Sequence, residues 1–233
     1  MKIALLGYGK MGRTIEKIAL ERGHEIVIKT NEEEGYDINQ ADVAIDFSVP
    51  KAAFFNIAKC LKLGVPVISG TTGWLDNYEH AIKLCKKNNG AFIYASNFSL
   101  GVNIFFELNK HLAKMMSQLK QYHVSIEEIH HTEKLDAPSG TAITLAEGII
   151  SQHDEYNKWL LNQNKEQTIP ITAKRIANVP GTHSIEYKSN TDTININHTA
   201  HTREGFALGA VVAAEWILGK TGVFSMKDVL NIG

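Results

Sequence analysis

Through its first hundred residues the chain alternates short apolar runs with amphipathic stretches of helical period. The apolar runs are KIALLG, EIVIKT, DVAIDFS, VPVISG and AFIYAS, and among them lie MGRTIEKIALERG, PKAAFFNIAKCLKLG and LDNYEHAIKLCKKNNG. β-rich runs separated by helices of roughly 10 to 15 residues predict βαβ units and a parallel sheet with helices on both faces. The acidic NEEEGYD reads as a solvated connection.

After NFSLG the rhythm changes. A helical segment from Val102 to about Leu119 leads into the alternating YHVSIEEIH and a helix from about Thr141. ITAKRIANV, HSIEYKS and DTININHTA then follow as strand-like runs joined by the turn signals PGTH and SNTD. Such a succession predicts an antiparallel or mixed sheet in a second domain. The polar stretch from Gln152 to Thr168 reads as a surface excursion. GFALGAVVAAEWILG is apolar almost all round, so it must be buried, and it can return to the first domain.

Composition narrows the partners. A chain of 233 residues, 44% hydrophobic, can build one large or two modest cores. Lysine plus arginine (24) nearly balance aspartate plus glutamate (25), so there is no basic footprint for a nucleic acid and no polybasic membrane patch. No apolar run reaches the roughly 18 residues of a membrane span. A small molecule or another protein is the expected partner. Cys60 and Cys85 both fall in helical patterns, which suits buried thiols in a reducing compartment. Met1 leads straight into a strand without a signal-type segment, and a soluble cytoplasmic protein is expected.

The first chemical motif is GYGKMG, in which Gly7, Gly9 and Gly12 form G-x-G-x-x-G between a strand and a helix. By itself a glycine triplet also marks an ordinary tight turn. In this context it predicts dinucleotide binding: Gly7 for the turn, Gly9 for the approach of a pyrophosphate, Gly12 for helix–strand packing. The helix N-terminus would offer free N–H groups to the phosphates. At the end of the second strand Lys29, Asn31 and Glu32 compete for the adenosine ribose, and Lys29 or Lys10 would suit a 2′-phosphate. SGTTGW (Gly70, Thr71, Thr72) and ASNFSLG (Asn97, Phe98, Ser99) follow two further strands, where open α/β sheets bind ligands.

The second motif is EEIHHTEKLDAPSGTA, residues 127 to 142. In an extended run His130 and His131 point to opposite sides, so they are expected to have different tasks. An imidazole exchanges protons near neutral pH, and Lys134 offers a positive charge to a carboxylate or a proton. PSGTA starts a helix with Ser139 or its neighbour as cap, leaving the N–H groups of Gly140 and Thr141 as an anion cradle. Turn and cap chemistry explain much of the same pattern. No metal is expected, since His198 and His201 lack companions at ligand spacing.

The run EIHHTEKLDAPSGTA closely resembles the signature of the dihydrodipicolinate (4-hydroxy-tetrahydrodipicolinate) reductase family of diaminopimelate and lysine biosynthesis. GYGKMG, DVAIDFSVP, GTTGW, SNFSLGVN and GVFSMKDVL extend the resemblance over essentially the whole chain. It implies a Rossmann-type dinucleotide-binding domain, 1–98 plus 206–233, and a mixed α/β domain, 99–205, that binds substrate and builds a homotetramer. It further implies NADPH or NADH as hydride donor and a small dicarboxylate substrate. His130 resembles the proton donor or acceptor and Lys134 a second proton donor, while His131, Ser139, Gly140 and Thr141 resemble substrate-carboxylate contacts. Gly7, Tyr8, Gly9, Lys10, Met11 and Gly12, with Asn31, resemble the first cofactor loop and its ribose end. Gly70 to Thr72 and Ala95, Ser96, Asn97 and Phe98 resemble the others. Lys10 stands where the family usually has arginine, Leu6 where its loop often has a first glycine, and Asn31 where it has an acid, which leaves NADH against NADPH open. A reductase of another small imino or keto acid, such as the aspartate dehydrogenase-like enzymes, and a non-catalytic dinucleotide sensor are the alternatives.

Overall fold

The computed structural model describes residues 1–32, 35–202 and 204–232, so Glu33 and Glu34 of the acidic connection lie outside the described residues. The chain opens with β1 (Lys2–Leu6), α1 (Lys10–Glu21), β2 (Glu25–Thr30), β3 (Val43–Asp46), α2 (Pro50–Lys62), β4 (Val67–Ser69), α3 (Tyr78–Lys87) and β5 (Ala91–Tyr94). It continues through α4 (Leu100–Met116), β6 (His123–His130), α5 (Gly140–Ile150), β7 (Lys158–Leu161), β8 (Thr168–Arg175), β9 (Gly181–Lys188) and β10 (Thr193–Ala200). It closes with α6 (Glu204–Ile217), β11 (Gly222–Phe224) and α7 (Met226–Leu230). Two units result: Met1–Asn103 with Glu204–Gly233, and Ile104–Arg203.

The first unit is a six-stranded sheet in the order β11-β5-β4-β3-β1-β2, with every pair parallel. Each face needs a cover, which is why β1 is apolar at consecutive positions rather than alternating. Ile3 and Leu5 pack with Ile15 of α1 and Ala210 and Val211 of α6. Ala4 and Leu6 pack on the other face with Ile57 of α2 and Ala81 of α3. The apolar C-terminal helix expected to be buried is thus the second cover of one face. β1 is flanked by β2 and β3, so the order in which successive strands are added reverses there, and a doubly wound sheet opens a crevice at that point beyond its carboxyl ends. β11, three residues long, extends the sheet beyond β5 and was not foreseen from the sequence.

The second unit is a five-stranded sheet, β10-β9-β6-β8-β7. β6 runs antiparallel to β9 but parallel to β8, and β7 is parallel to β8, so of the two arrangements expected the sheet is the mixed one. Phe105 and Ala113 of α4 and Leu145 and Ile149 of α5 pack on Val124, Ile126, Ile169 and Ile185. Residues 152 to 168 correct the sequence reading. Lys158–Leu161 within them form the edge strand β7, whose half-exposed side chains hid its strand character in a polar setting.

Cys60 and Cys85 are free and buried, and burial pushes the Cys60 thiol up to about 12. Among the described residues no helix is long and apolar enough to cross a membrane.

α6 reaches its sheet by a close approach. A Cβ on Gly209 would stand 1.7 Å from the Phe98 carbonyl oxygen, a backbone atom with no room to yield. Gly209→Ala should therefore cost about 1–3 kcal/mol through overpacking, read as a lower urea midpoint at unchanged slope.

Candidate active site

The glycine loop joins β1 to α1, and its three glycines do different things. Gly7 has φ +98°, and a Cβ there would lie 2.1 Å from the Phe47 carbonyl oxygen. At Gly12 it would lie 2.4 Å from the Gly7 carbonyl oxygen. These two glycines let the turn pack against the end of β3 and against itself. Gly9 has no heavy atom within 4 Å of the Cβ position and begins α1 without a side-chain cap. Its surroundings are therefore open at the helix N-terminus, where free N–H groups favour an anion. A cleft of about 250 Å³ lies there, lined by Gly7, Gly9, Asn31, Phe47 and Ser48 among others.

Asn31 is tied to this loop, since its Oδ1 accepts from the Tyr8 N–H at 2.7 Å. Lys29 is committed elsewhere: its ammonium pairs with Glu16 at 2.5 Å, and Glu16 also accepts from the Tyr8 hydroxyl. Lys10 and Met11 open α1, and the Lys10 side chain has no ion-pair partner among the described residues.

The loops after β3 and β4 are joined by a carboxylate. Asp46, fully buried, accepts from Ser48 Oγ (2.7 Å), Asn56 Nδ2 (2.9 Å), Ser69 Oγ (2.9 Å) and Thr71 Oγ1 (2.8 Å). Burial pushes its carboxyl upward, and these four donors oppose that. Thr71 Oγ1 also accepts from the Ser48 N–H at 2.9 Å, so its hydroxyl is used inward while Thr72 is exposed. Gly70 gives way to the Phe47 ring, 2.3 Å from where its Cβ would be. After β5, the Ala95 N–H donates to the Ser69 carbonyl (3.2 Å), Ser96 is exposed, and Asn97 Oδ1 accepts from the Ser99 N–H (2.9 Å). Phe98 is buried 5.8 Å from Phe47, ring to ring. Thus the glycine loop, Asn31, Gly70–Thr72 and Ala95–Phe98 all follow carboxyl ends of strands in one parallel sheet.

In the second unit strand alternation decides the two histidines. Val124, Ile126, Glu128 and His130 share the buried face of β6, whereas His131, just beyond it, is half-buried. Glu128 was not singled out from the sequence, yet it organises the motif. Its Oε2 accepts from the Ser139 N–H (3.1 Å) and lies 3.2 Å from His130 Nδ1 and 3.8 Å from His183 Nε2. Its Oε1 accepts from the Arg175 guanidinium at 3.2 Å. Burial works to raise this carboxyl, but His130 and the Ser139 N–H outweigh it and hold the group at about 2.

Arg175 reaches further, donating to the carbonyl oxygens of Asp136 (2.6 Å) and Lys134 (3.3 Å). The loop that carries Lys134 is thereby fastened to β8. Lys134 Nζ itself lies 2.7 Å from both Asp136 carboxylate oxygens. Ser139 caps α5, its Oγ accepting from the Ala142 N–H (3.2 Å) and standing 3.1 Å from His183 Nε2. At 3% exposure its hydroxyl is turned inward at the start of the helix. Gly140, by contrast, is exposed with no heavy atom within 4 Å of its Cβ position, and Thr141 follows it in the first turn of α5. His131 has a buried Nδ1 with no hydrogen-bond partner among the described residues. Glu128, His130 and His183 hold atoms within 4.8 Å of one another, but an arginine on Glu128 suits an ion-pair network better than a cation.

The structure thus gathers Glu128, Arg175 and His183, none of them singled out from the sequence, around His130, the Lys134 loop and the start of α5. An acid two residues before His130 on an otherwise apolar face was the available signal for the first.

A glycine-loop cleft at the switch point of a parallel sheet, with a separate unit carrying a buried imidazole and an open helix start, defines an NAD(P)H-dependent oxidoreductase of the Rossmann type. The chain belongs to the dihydrodipicolinate reductase family: the family's N-terminal model matches residues 1–98 and its C-terminal model residues 101–230. A 4-hydroxy-tetrahydrodipicolinate reductase of Christiangramia forsetii is 61% identical over 99% of this chain and 98% of its own. One from Neisseria gonorrhoeae is 32% identical over 100% and 98%. The dipicolinate-bound dihydrodipicolinate reductase from Paenisporosarcina sp. TG-14 superposes with a TM-score of 0.77 at 22% identity, covering 97% of each chain, a likeness of fold.

Two outcomes follow from this geometry. Gly9→Ala should leave stability within about 0.5 kcal/mol, as at an open surface site, while weakening NAD(P)H binding roughly tenfold in a fluorescence titration. His183 is held down to about 4, first by burial and then by the nearby His130 charge. The unfolded chain therefore binds the extra proton first, and the stability His183 contributes is full above pH 6.5 and lost as pH falls toward about 4. Glu128 adds a lower window, full above 4.5 and lost toward about 2. Urea unfolding across pH should show both losses, and His183→Asn should lack the upper one.

Proposed function

We propose that this chain reduces 4-hydroxy-tetrahydrodipicolinate to tetrahydrodipicolinate with NADPH or NADH, in diaminopimelate and lysine biosynthesis, and that His130 and Lys134 handle the protons. What carries the assignment of roles is the grouping of a buried imidazole, an ammonium and an open helix start within one short segment of the second unit.

Bound NAD(P)H supplies the hydride. The open space at Gly9 and the uncapped start of α1 fit its pyrophosphate, with Gly7, Tyr8, Lys10, Met11 and Gly12 forming the rest of the loop. Asn31 offers an uncharged amide at the ribose end, and Lys10 offers a charge for a 2′-phosphate, which supports use of both cofactors. Gly70, Thr71 and Thr72, with Ala95, Ser96, Asn97 and Phe98, complete the cofactor side. Thr71 acts there by holding its loop in place.

On the substrate side, the N–H groups of Gly140 and Thr141 receive one carboxylate, with Ser139 capping the helix behind them. Lys134 exchanges the Asp136 carboxylate for a substrate carboxylate and can deliver a proton from the same nitrogen. His131, with its buried unsatisfied nitrogen, is a further carboxylate contact. His130 gives the proton that completes reduction.

We place the enzyme in the cytoplasm as a homotetramer. Two free buried thiols support a reducing location, and the half-exposed residues Ser125 and Glu127 on the sheet face opposite α4 and α5 support association there.

A coupled assay supplying the product of dihydrodipicolinate synthase, run with NADH and NADPH side by side, tests substrate and cofactor together. His130→Ala and Lys134→Ala should each lose about 10² or more in kcat with the fold intact. Near-normal turnover in either would refute the role given to that residue.

A further inference from the structure

The Nδ1 of His130 is buried without a hydrogen-bond partner among the described residues, yet Glu128 Oε2 stands only 3.2 Å from it. If Nδ1 were the unprotonated nitrogen, its lone pair would face an anionic oxygen. The arrangement is favourable only with the hydrogen on Nδ1, which leaves Nε2 as the nitrogen that gains and loses a proton. Nε2 lies over Gly181, where a Cβ would come within 3.1 Å, so the ring keeps this place because β9 begins with a residue lacking a side chain. Glu128 has little freedom to move: it is fully buried and is held by Arg175 through one oxygen and by the Ser139 N–H through the other.

We propose that Glu128 is the positioning residue for proton transfer at this site: its carboxylate fixes the tautomer and orientation of His130. Through Ser139 and Arg175 it also sets the α5 N-terminus and the 134–136 loop in register with that imidazole. This rests on the role of His130 given above. In the transfer, the Nε2–H bond of the imidazolium breaks with its electron pair staying on the ring. The substrate atom that received electron density from the reduced π bond takes the proton. Neutral imidazole with hydrogen on Nδ1 remains, and solvent returns the proton to Nε2. Glu128 stays ionised throughout and balances the imidazolium charge. The other groups facing this pair are Arg175 on β8, His183 on β9, His198 on β10, and Lys134 and Asp136 in the loop.

The decisive variant is Glu128→Gln, which keeps the shape and removes the charge. We expect kcat to fall roughly tenfold to a hundredfold with the KM for NAD(P)H unchanged, and the basic limb of the kcat/KM profile to move to lower pH by about one unit. In a His130→Ala background the same change should cost clearly less in kcat than it does alone, only the part that acts through Ser139 and Arg175 remaining. An unshifted pH profile, or a full additional loss in that background, overturns the proposal. Should Glu128→Gln fail to fold, ¹⁵N NMR of the wild-type protein still decides, because finding neutral His130 protonated on Nε2 contradicts it. Normal turnover of His130→Ala alone would strike at the underlying role of His130, and so is distinguishable from failure of the positioning idea.

Discussion

A carboxylate taken out of water must be given donors, and that constraint shapes both units of this chain. Asp46 ends β3 and Glu128 lies near the end of β6, and both are fully buried. Each compels several separate segments to converge: Ser48, Asn56, Ser69 and Thr71 on the first, and Ser139, Arg175, His130 and His183 on the second. A hydrogen bond to a charged group contributes about 1.5–3 kcal/mol, whereas an unsatisfied buried charge costs more. The strand-end loops, otherwise the least constrained parts of an α/β fold, are thereby held in single positions.

The two carboxylates differ in kind. Asp46 is surrounded by neutral donors, so it acts as a clamp between the β3 and β4 loops and burial still raises its carboxyl. Glu128 has ionisable partners, which outweigh burial and hold it low. A permanently ionised group beside an imidazole does more than tie loops together. It gives the ring a preferred charge state and a preferred face.

Much of this was legible in the chain. The parallel sheet announced itself because strands covered on both faces must be apolar at successive positions, as in KIALLG and DVAIDFS. The glycine loop was legible because each of its three glycines meets a distinct steric demand. β11 was too short to signal, and β7 was masked because its four residues, KWLL, are partly exposed and sit inside a polar stretch. Arg175 and His183 were invisible for a different reason. They meet the motif only through strand register, in which His130 pairs with Arg175 and Glu128 with His183, and register depends on pairings between distant segments.

The place of α6 has a consequence for how the chain is made. One face of the first sheet is covered by α1 and by α6, and α6 comes after the whole of the second unit. A ribosome releases residues in order, so Ile3, Leu5, Val43 and Ile45 remain without half of their apolar cover until residues 204–217 emerge. The second unit, contiguous from 104 to 203, can close first. The segment built earliest is therefore the last to complete its core, and in the interval its open face is the part of the nascent chain that most needs shelter from aggregation.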